Sequence, residues 1–118
     1  MEAIPDVKID DGRFKYVLIR VHDKNSDDSK LIVRGSAKCS YHMDIYELAQ
    51  KEIERDDRFD LEPQGGGRIL HNAKEKRIEV FGYSVDLGQA KHTDTCDILK
   101  KHFAEYPPDN IIWTNEGY

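Results

Sequence analysis

Residues 14–22, FKYVLIRVH, constrain the fold of this 118-residue chain more than any other stretch. Tyr16, Val17, Leu18, Ile19 and Val21 are apolar at odd and even positions alike. A strand built from them therefore has no face suited to water, which is the pattern of a strand in the middle of a sheet. Their β-branched and aromatic side chains favour extended backbone. The rest of the chain must supply neighbouring strands and a covering layer.

Several stretches can serve as neighbours. Residues 4–10 alternate apolar and polar and end at Asp11-Gly12, which predicts a short strand and the start of a first hairpin. A polar loop over 23–29 precedes a strand over 30–35, with Arg34 at its end. Residues 57–63 read as a polar segment leading into Gly65-Gly66-Gly67-Arg68, a flexible glycine-rich entry to a strand over 69–71. After a turn over 72–76, residues 77–83 pair back as a hairpin partner with Ile78 and Val80 on one face, and 111–114 form a last strand before a polar tail over 115–118.

Two amphipathic helices can cover the sheet. The first is expected to start with Ser40 as N-cap and run to about residue 56. His42, Ile45, Tyr46, Ala49 and Ile53 share its packed side, and Asp44, Glu47, Lys51 and Glu54 its wet side. The second begins near Thr93, carries Thr95, Ile98, Leu99, His102, Phe103 and Tyr106 on one face, and ends at Pro107-Pro108, which makes His102 a packing histidine. The fold class expected is α+β: one domain over 1–118 with a single mixed β-sheet of about six strands and two α-helices packed against it.

Composition narrows the function classes. A formal charge of -5 argues against a general nucleic-acid or membrane-surface binder, so any anion site has to be built locally by gathering cations. The sequence has no run of about 18 apolar residues and no basic segment followed by an apolar core at its start, so the expectation is a cytoplasmic protein; its oligomeric state stays open, with a monomer favoured. Cys39 and Cys96 form no CxxC pair and are expected to be free thiols.

His42 is the candidate for chemistry. In the first turn of a helix it meets the positive end of the helix dipole, which disfavours imidazolium and leaves a neutral base near pH 7. The alternative is a satisfied packing histidine, as many helix-face histidines are. Lys15 shares a strand face with Val17, Ile19 and Val21, and its position alone favours snorkelling to solvent over pointing into a cleft. Other chemistries lack their signatures. Gly82-Tyr83-Ser84-Val85-Asp86 has aspartate where a nucleophile elbow needs its second glycine, and neither cysteine is followed six residues on by arginine. His22, His42, His71, His92 and His102 include no HExxH and no zinc-finger spacing, although a metal site assembled by the fold stays open. A neutral histidine, nearby cations and a loop of amides over 84–89 suit metal-independent phosphoryl hydrolysis: cations hold the dianion, amides orient it, and histidine takes a proton from water.

Six blocks taken together, FKYVLIRV (14–21), VRG (33–35), YHMDIY (41–46), GGGRI (65–69), FGYS (81–84) and WTNEGY (113–118), resemble the phosphohistidine phosphatase family, also called the janus family. The resemblance covers nearly the whole chain in order, and the fold it implies is a single mixed sheet with two helices. It also implies roles. His42 falls on the catalytic histidine that activates water, and Lys15 on a substrate-binding lysine, which reverses the snorkelling preference. Arg34 and Arg68 match basic residues near the phosphate, and Ser84, Val85 and Asp86 match the loop whose backbone donors hold it. Histidine-phosphorylated proteins are the implied partners, and no cofactor or metal is implied.

Two departures stand out. The third loop position, small and uncharged in the family pattern, is Asp86, and Cys39 stands where an aromatic residue can precede the helix. Asp86 also supports a rival reading, a non-catalytic module that binds phosphorylated partners.

Overall fold

The computed structural model describes residues 1–116 of the chain; Gly117 and Tyr118, which end the WTNEGY block, lie outside the described residues. Six strands form one mixed sheet in the order β1-β3-β2-β4-β5-β6. They are β1 (Val7–Lys8), β2 (Gly12–Asp23), β3 (Ser29–Ser36), β4 (Phe59–Asn72), β5 (Arg77–Phe81) and β6 (Ile111–Trp113). Two helices, α1 (His42–Ile53) and α2 (His92–His102), complete the α+β architecture read from the sequence.

β2 lies in the interior of the sheet, antiparallel to β3 on one side and β4 on the other. Its alternation divides the core. Phe14, Tyr16 and Leu18 pack with Ile69, Ile78, Val80 and Leu99 on the α2 side. Val17, Ile19 and Val21 pack with Ile45, Tyr46, Ala49 and Ile53 on the α1 side. Each such side chain taken from water contributes roughly 1.5–3 kcal/mol, so both layers are needed to stabilise this one strand. α1 joins β3 to β4, which run in the same direction on either side of β2, and it therefore crosses the face of β2.

Four expectations need correction. The segment before Gly12 makes no hairpin with β2; Val7 and Lys8 pair in parallel with Val33 and Arg34, placing β1 at the far edge. The glycine-rich stretch is no flexible entry, because β4 runs unbroken from Phe59 to Asn72 and Gly66 and Gly67 pair with Val17 and Tyr16. One register shift, at Leu18/Ile19, accommodates Gln64 between the Pro63 and Gly65 pairs, the kind of bulge where proline is tolerated in a strand. Tyr41 rather than Ser40 caps α1: its amide donates to Asp44 Oδ2 and its carbonyl accepts from the Asp44 amide, both at 3.1 Å. His102 is the exposed last residue of α2, its ring edge-on to Phe103, and the helix ends there rather than at the prolines. Both cysteines are free thiols.

Candidate active site

α1 begins at His42, and the packed side of its first turn lies against β4 where that strand has no side chains. A Cβ on Gly66 would stand 2.8 Å from His42 Cδ2, closer than atoms can approach. The His42 ring takes this room and donates from Nε2 to the Gly67 carbonyl at 2.8 Å. A carbonyl only accepts, so the neutral ring carries its proton on Nε2. With the Cδ2–Nε2 edge against β4, Nδ1 faces away from the strand as a bare lone pair. Burial holds the His42 pKa below its ordinary 6.5; the charges of Lys15 and Arg68 push the same way, and the Gly67 hydrogen bond and the Asp86 carboxylate oppose them. The ring is therefore neutral at pH 7, and at 8 % exposure it is not sealed from solvent.

The two cations arrive from adjacent strands. Lys15 on β2 is paired with Arg68 on β4, and both are half-buried. Alternation sends both to the α1 side, in line with Val17 and Gly66. The acidic contribution comes from the loop over 84–89, which is clipped to the same bare backbone. Gly66 N–H donates to Gly88 O and Ala90 N–H donates to Gly66 O, both at 3.0 Å. Within the loop, Ser84 N–H donates to Gly88 O at 3.1 Å, Gly88 N–H to Ser84 O at 2.8 Å, and Leu87 N–H to Ser84 Oγ at 3.1 Å. Among the described residues, this leaves the exposed amides of Val85 and Asp86 without a protein acceptor. The Ser84 amide is committed inside the loop, and its Oγ accepts from Leu87 N–H while keeping its own hydroxyl proton to donate.

Three histidines are buried, and they use their ring nitrogens differently. His71 donates from Nδ1 to Asp10 O and accepts the Tyr106 hydroxyl at Nε2, both at 2.8 Å. His92 donates from Nε2 to Gly82 O at 2.9 Å and accepts the Tyr16 hydroxyl at Nδ1 at 2.6 Å; Thr95 Oγ1 lies 3.0 Å from that hydroxyl. Each of these two is satisfied at both nitrogens. His42 donates once, and among the described residues no protein group reaches its Nδ1. Of the remaining histidines, His22 faces Glu62 at 3.0 Å and His102 is exposed.

The fold thus brings together His42, Lys15, Arg68 and the loop of Ser84, Val85 and Asp86. Arg34 stands apart. It is buried beneath α1 with Nε 3.3 Å from Glu52 Oε1, and its other nitrogens donate to Val33 O at 3.1 Å and Pro5 O at 2.9 Å. It ties β3 to the N-terminal segment and to α1. His92 escaped the sequence reading. It lies on the reverse face of the sheet from His42, and a Cβ on Gly67 would stand 2.7 Å from its Cε1. Consecutive glycines thus each admit one histidine, from opposite faces. The helical spacing of His92, Thr95, Cys96 and Leu99, all buried, carried the signal one turn earlier than the face chosen from sequence. Among the described residues, no group of three or more His, Cys, Asp or Glu side chains is arranged to hold a metal ion, and no helix is long and apolar enough to cross a membrane.

Comparison with known proteins gives a consistent picture. The profile of the Janus/Ocnus family (Ocnus) matches residues 1–107. The chain is 44 % identical to the 14 kDa phosphohistidine phosphatase of Sus scrofa, an alignment covering 100 % of this chain and 95 % of that protein. It is likewise 44 % identical to the protein of the same name from Homo sapiens, covering 100 % and 96 %. With the sex-regulated protein janus-A of Drosophila pseudoobscura pseudoobscura the identity is 43 %, covering 100 % and 80 %.

Proposed function

Because the chain belongs to the Janus/Ocnus family, we propose that it is a protein phosphatase that hydrolyses phosphohistidine, with His42 as the general base. The observation that carries this reading is the unshared Nδ1 lone pair of His42, held neutral by burial and by the charges of Lys15 and Arg68. In this scheme Lys15 and Arg68 bind the phosphoryl oxygens, and the amides of Val85 and Asp86 orient them. A water opposite the phosphorus–nitrogen bond gives its proton to Nδ1 while its oxygen bonds phosphorus. The phosphorus–nitrogen bond breaks, and its electron pair leaves with the substrate imidazole, which takes up a proton. The Gly67 hydrogen bond supports this role twice, by fixing the tautomer and by sharing the positive charge that develops on the ring. Arg34 acts at a distance, as a brace for α1.

The test is hydrolysis of a phosphohistidine peptide by purified protein in chelator. Release of phosphate by the wild type and a loss of at least about 10²-fold in His42→Ala are expected, the usual contribution of a positioned base. Full activity in that variant removes His42 from the mechanism. Saturable binding with no phosphate released makes the protein a phosphoprotein-recognition module instead, and loss of activity in chelator that a divalent ion restores makes it a metal-dependent hydrolase.

A further inference from the structure

α1 covers only part of its side of the sheet. The core cluster beneath it draws on β2, β3 and β4 but contains no residue of β5 or β6. On that side, alternation and register line up Arg13, Leu70, Glu79 and Ile112 across four strands, one row beyond Lys15, Arg68 and Phe81. Leu70 is 41 % exposed and Ile112 43 %, large apolar side chains lying open on the sheet. Two depressions adjoin at Glu79: one of about 140 Å³ between Leu70 and Arg77, and one of about 420 Å³ between Phe81, Ile112 and Trp113. The face carries both signs of charge: Arg13, above the Phe81 ring at 5.3 Å, and Arg77, whose Nη2 lies 3.8 Å from Glu79 Oε1, against Glu79 itself and Glu116 at the larger depression.

We infer that this face, which among the described residues no helix covers, is the docking surface for the substrate chain flanking the phosphohistidine, and that it selects a segment with an apolar side chain a few residues away. The inference rests on the phosphatase reading and deepens it. A phosphoryl group held by Lys15 and Arg68 anchors the partner at the border of this face, and α1 blocks the opposite direction. Ile112 lies two strand spacings across and two residues along from Arg68, about 12 Å, which an extended chain rising about 3.3 Å per residue covers in roughly three or four residues. The apolar side chain therefore belongs roughly three or four positions from the phosphohistidine, seated in the larger depression.

Two phosphohistidine peptides of equal acidity, one with leucine and one with serine at that spacing, test this. Free phosphoramidate serves as the reference for the chemical step. The wild type is expected to show about tenfold higher kcat/KM on the leucine peptide, carried by KM. Ile112→Asp should remove that preference, whereas Leu70→Asp, outside the larger depression, and Leu48→Asp on α1 keep it. Equal kcat/KM for the two peptides in the wild type overturns the docking surface, as does retained preference in Ile112→Asp. Titration with hydrolysis-resistant triazole analogues of both peptides reads binding separately. If no substrate is turned over, the phosphatase reading fails, and the leucine-to-serine ratio of the analogue Kd values still decides docking.

Discussion

A histidine becomes a useful base when the protein occupies one of its nitrogens and leaves the other alone. His71 and His92 have partners at both nitrogens, and His42 donates only to Gly67. The charges around His42 make this reading sensitive to pH. The neutral ring is the active form, so activity is full above its pKa and is lost as pH falls through it. Since burial, Lys15 and Arg68 hold that pKa below 6.5, the acid limb of kcat/KM attributable to His42 lies below pH 6.5. Lys15→Met should move the limb upward and Asp86→Ala downward, because the first removes a charge that opposes protonation and the second a charge that favours it. Initial rates on phosphoramidate from pH 5 to 8, compared between variants, check both directions, and the ionisation of the substrate cancels in the comparison. A limb unmoved by either substitution would mean that another group titrates.

At the scale of an element, β4 is the strand on which the site depends. Gly66→Ala would put a methyl 2.8 Å from His42 Cδ2 and 2.8 Å from the Tyr16 carbonyl. The ring is displaced and the cost is expected near the usual ~1–3 kcal/mol of overpacking, with activity lost in protein that still folds. Gly67→Ala meets the Phe81 carbonyl at 2.5 Å and His92 at 2.7 Å, backbone on one side and a fully packed ring on the other, so it should lower Tm more than Gly66→Ala. Thermal melts alongside phosphoramidate assays separate the two effects. The first half of β4 was not legible in the sequence for a physical reason. Glu62-Pro63-Gln64-Gly65-Gly66-Gly67 has almost no intrinsic preference for strand, and it is extended because β2 offers a complete row of backbone partners. β2 itself, the packed face of α1 and the final strand were legible, since each carries its burial pattern in its own side chains. The parallel edge pairing of β1 was not, because the turn signal at Asp11-Gly12 is local and the choice between β2 and β3 as partner is not. In the site, the helix start marked His42 as a candidate, whereas Lys15 came from the family resemblance, its strand position alone favouring solvent. The commitment of Arg34 to Glu52 and of the Ser84 amide to Gly88 emerged only from contacts distant in the chain or hidden within a turn.

For the molecule as a whole, the two faces of the sheet share a dependence on acid. Burial lowers the pKa of His42 on one face and of His92 on the other from 6.5. Below pH 6.5 the unfolded chain binds protons that the folded chain resists. The stability these two rings contribute is therefore complete above pH 6.5 and falls as pH drops toward their folded values. Tm measured in steps from pH 7.5 to 5 should decline through this window, and His42→Gln should make the decline shallower. A flat profile would show that neither ring is buried as neutral imidazole. The clip between Gly66 and the loop also has a consequence for hydrogen exchange. The amides of Gly66 and Ala90 are hydrogen-bonded across the clip at 3.0 Å, and the loop must lift off β4 before they exchange for deuterium. Those of Val85 and Asp86, a few residues away, should exchange almost as fast as in an unfolded chain. Inorganic phosphate would then slow the fast pair and leave the slow pair unchanged, making two neighbouring stretches of backbone a built-in ratio that reports when the site is occupied.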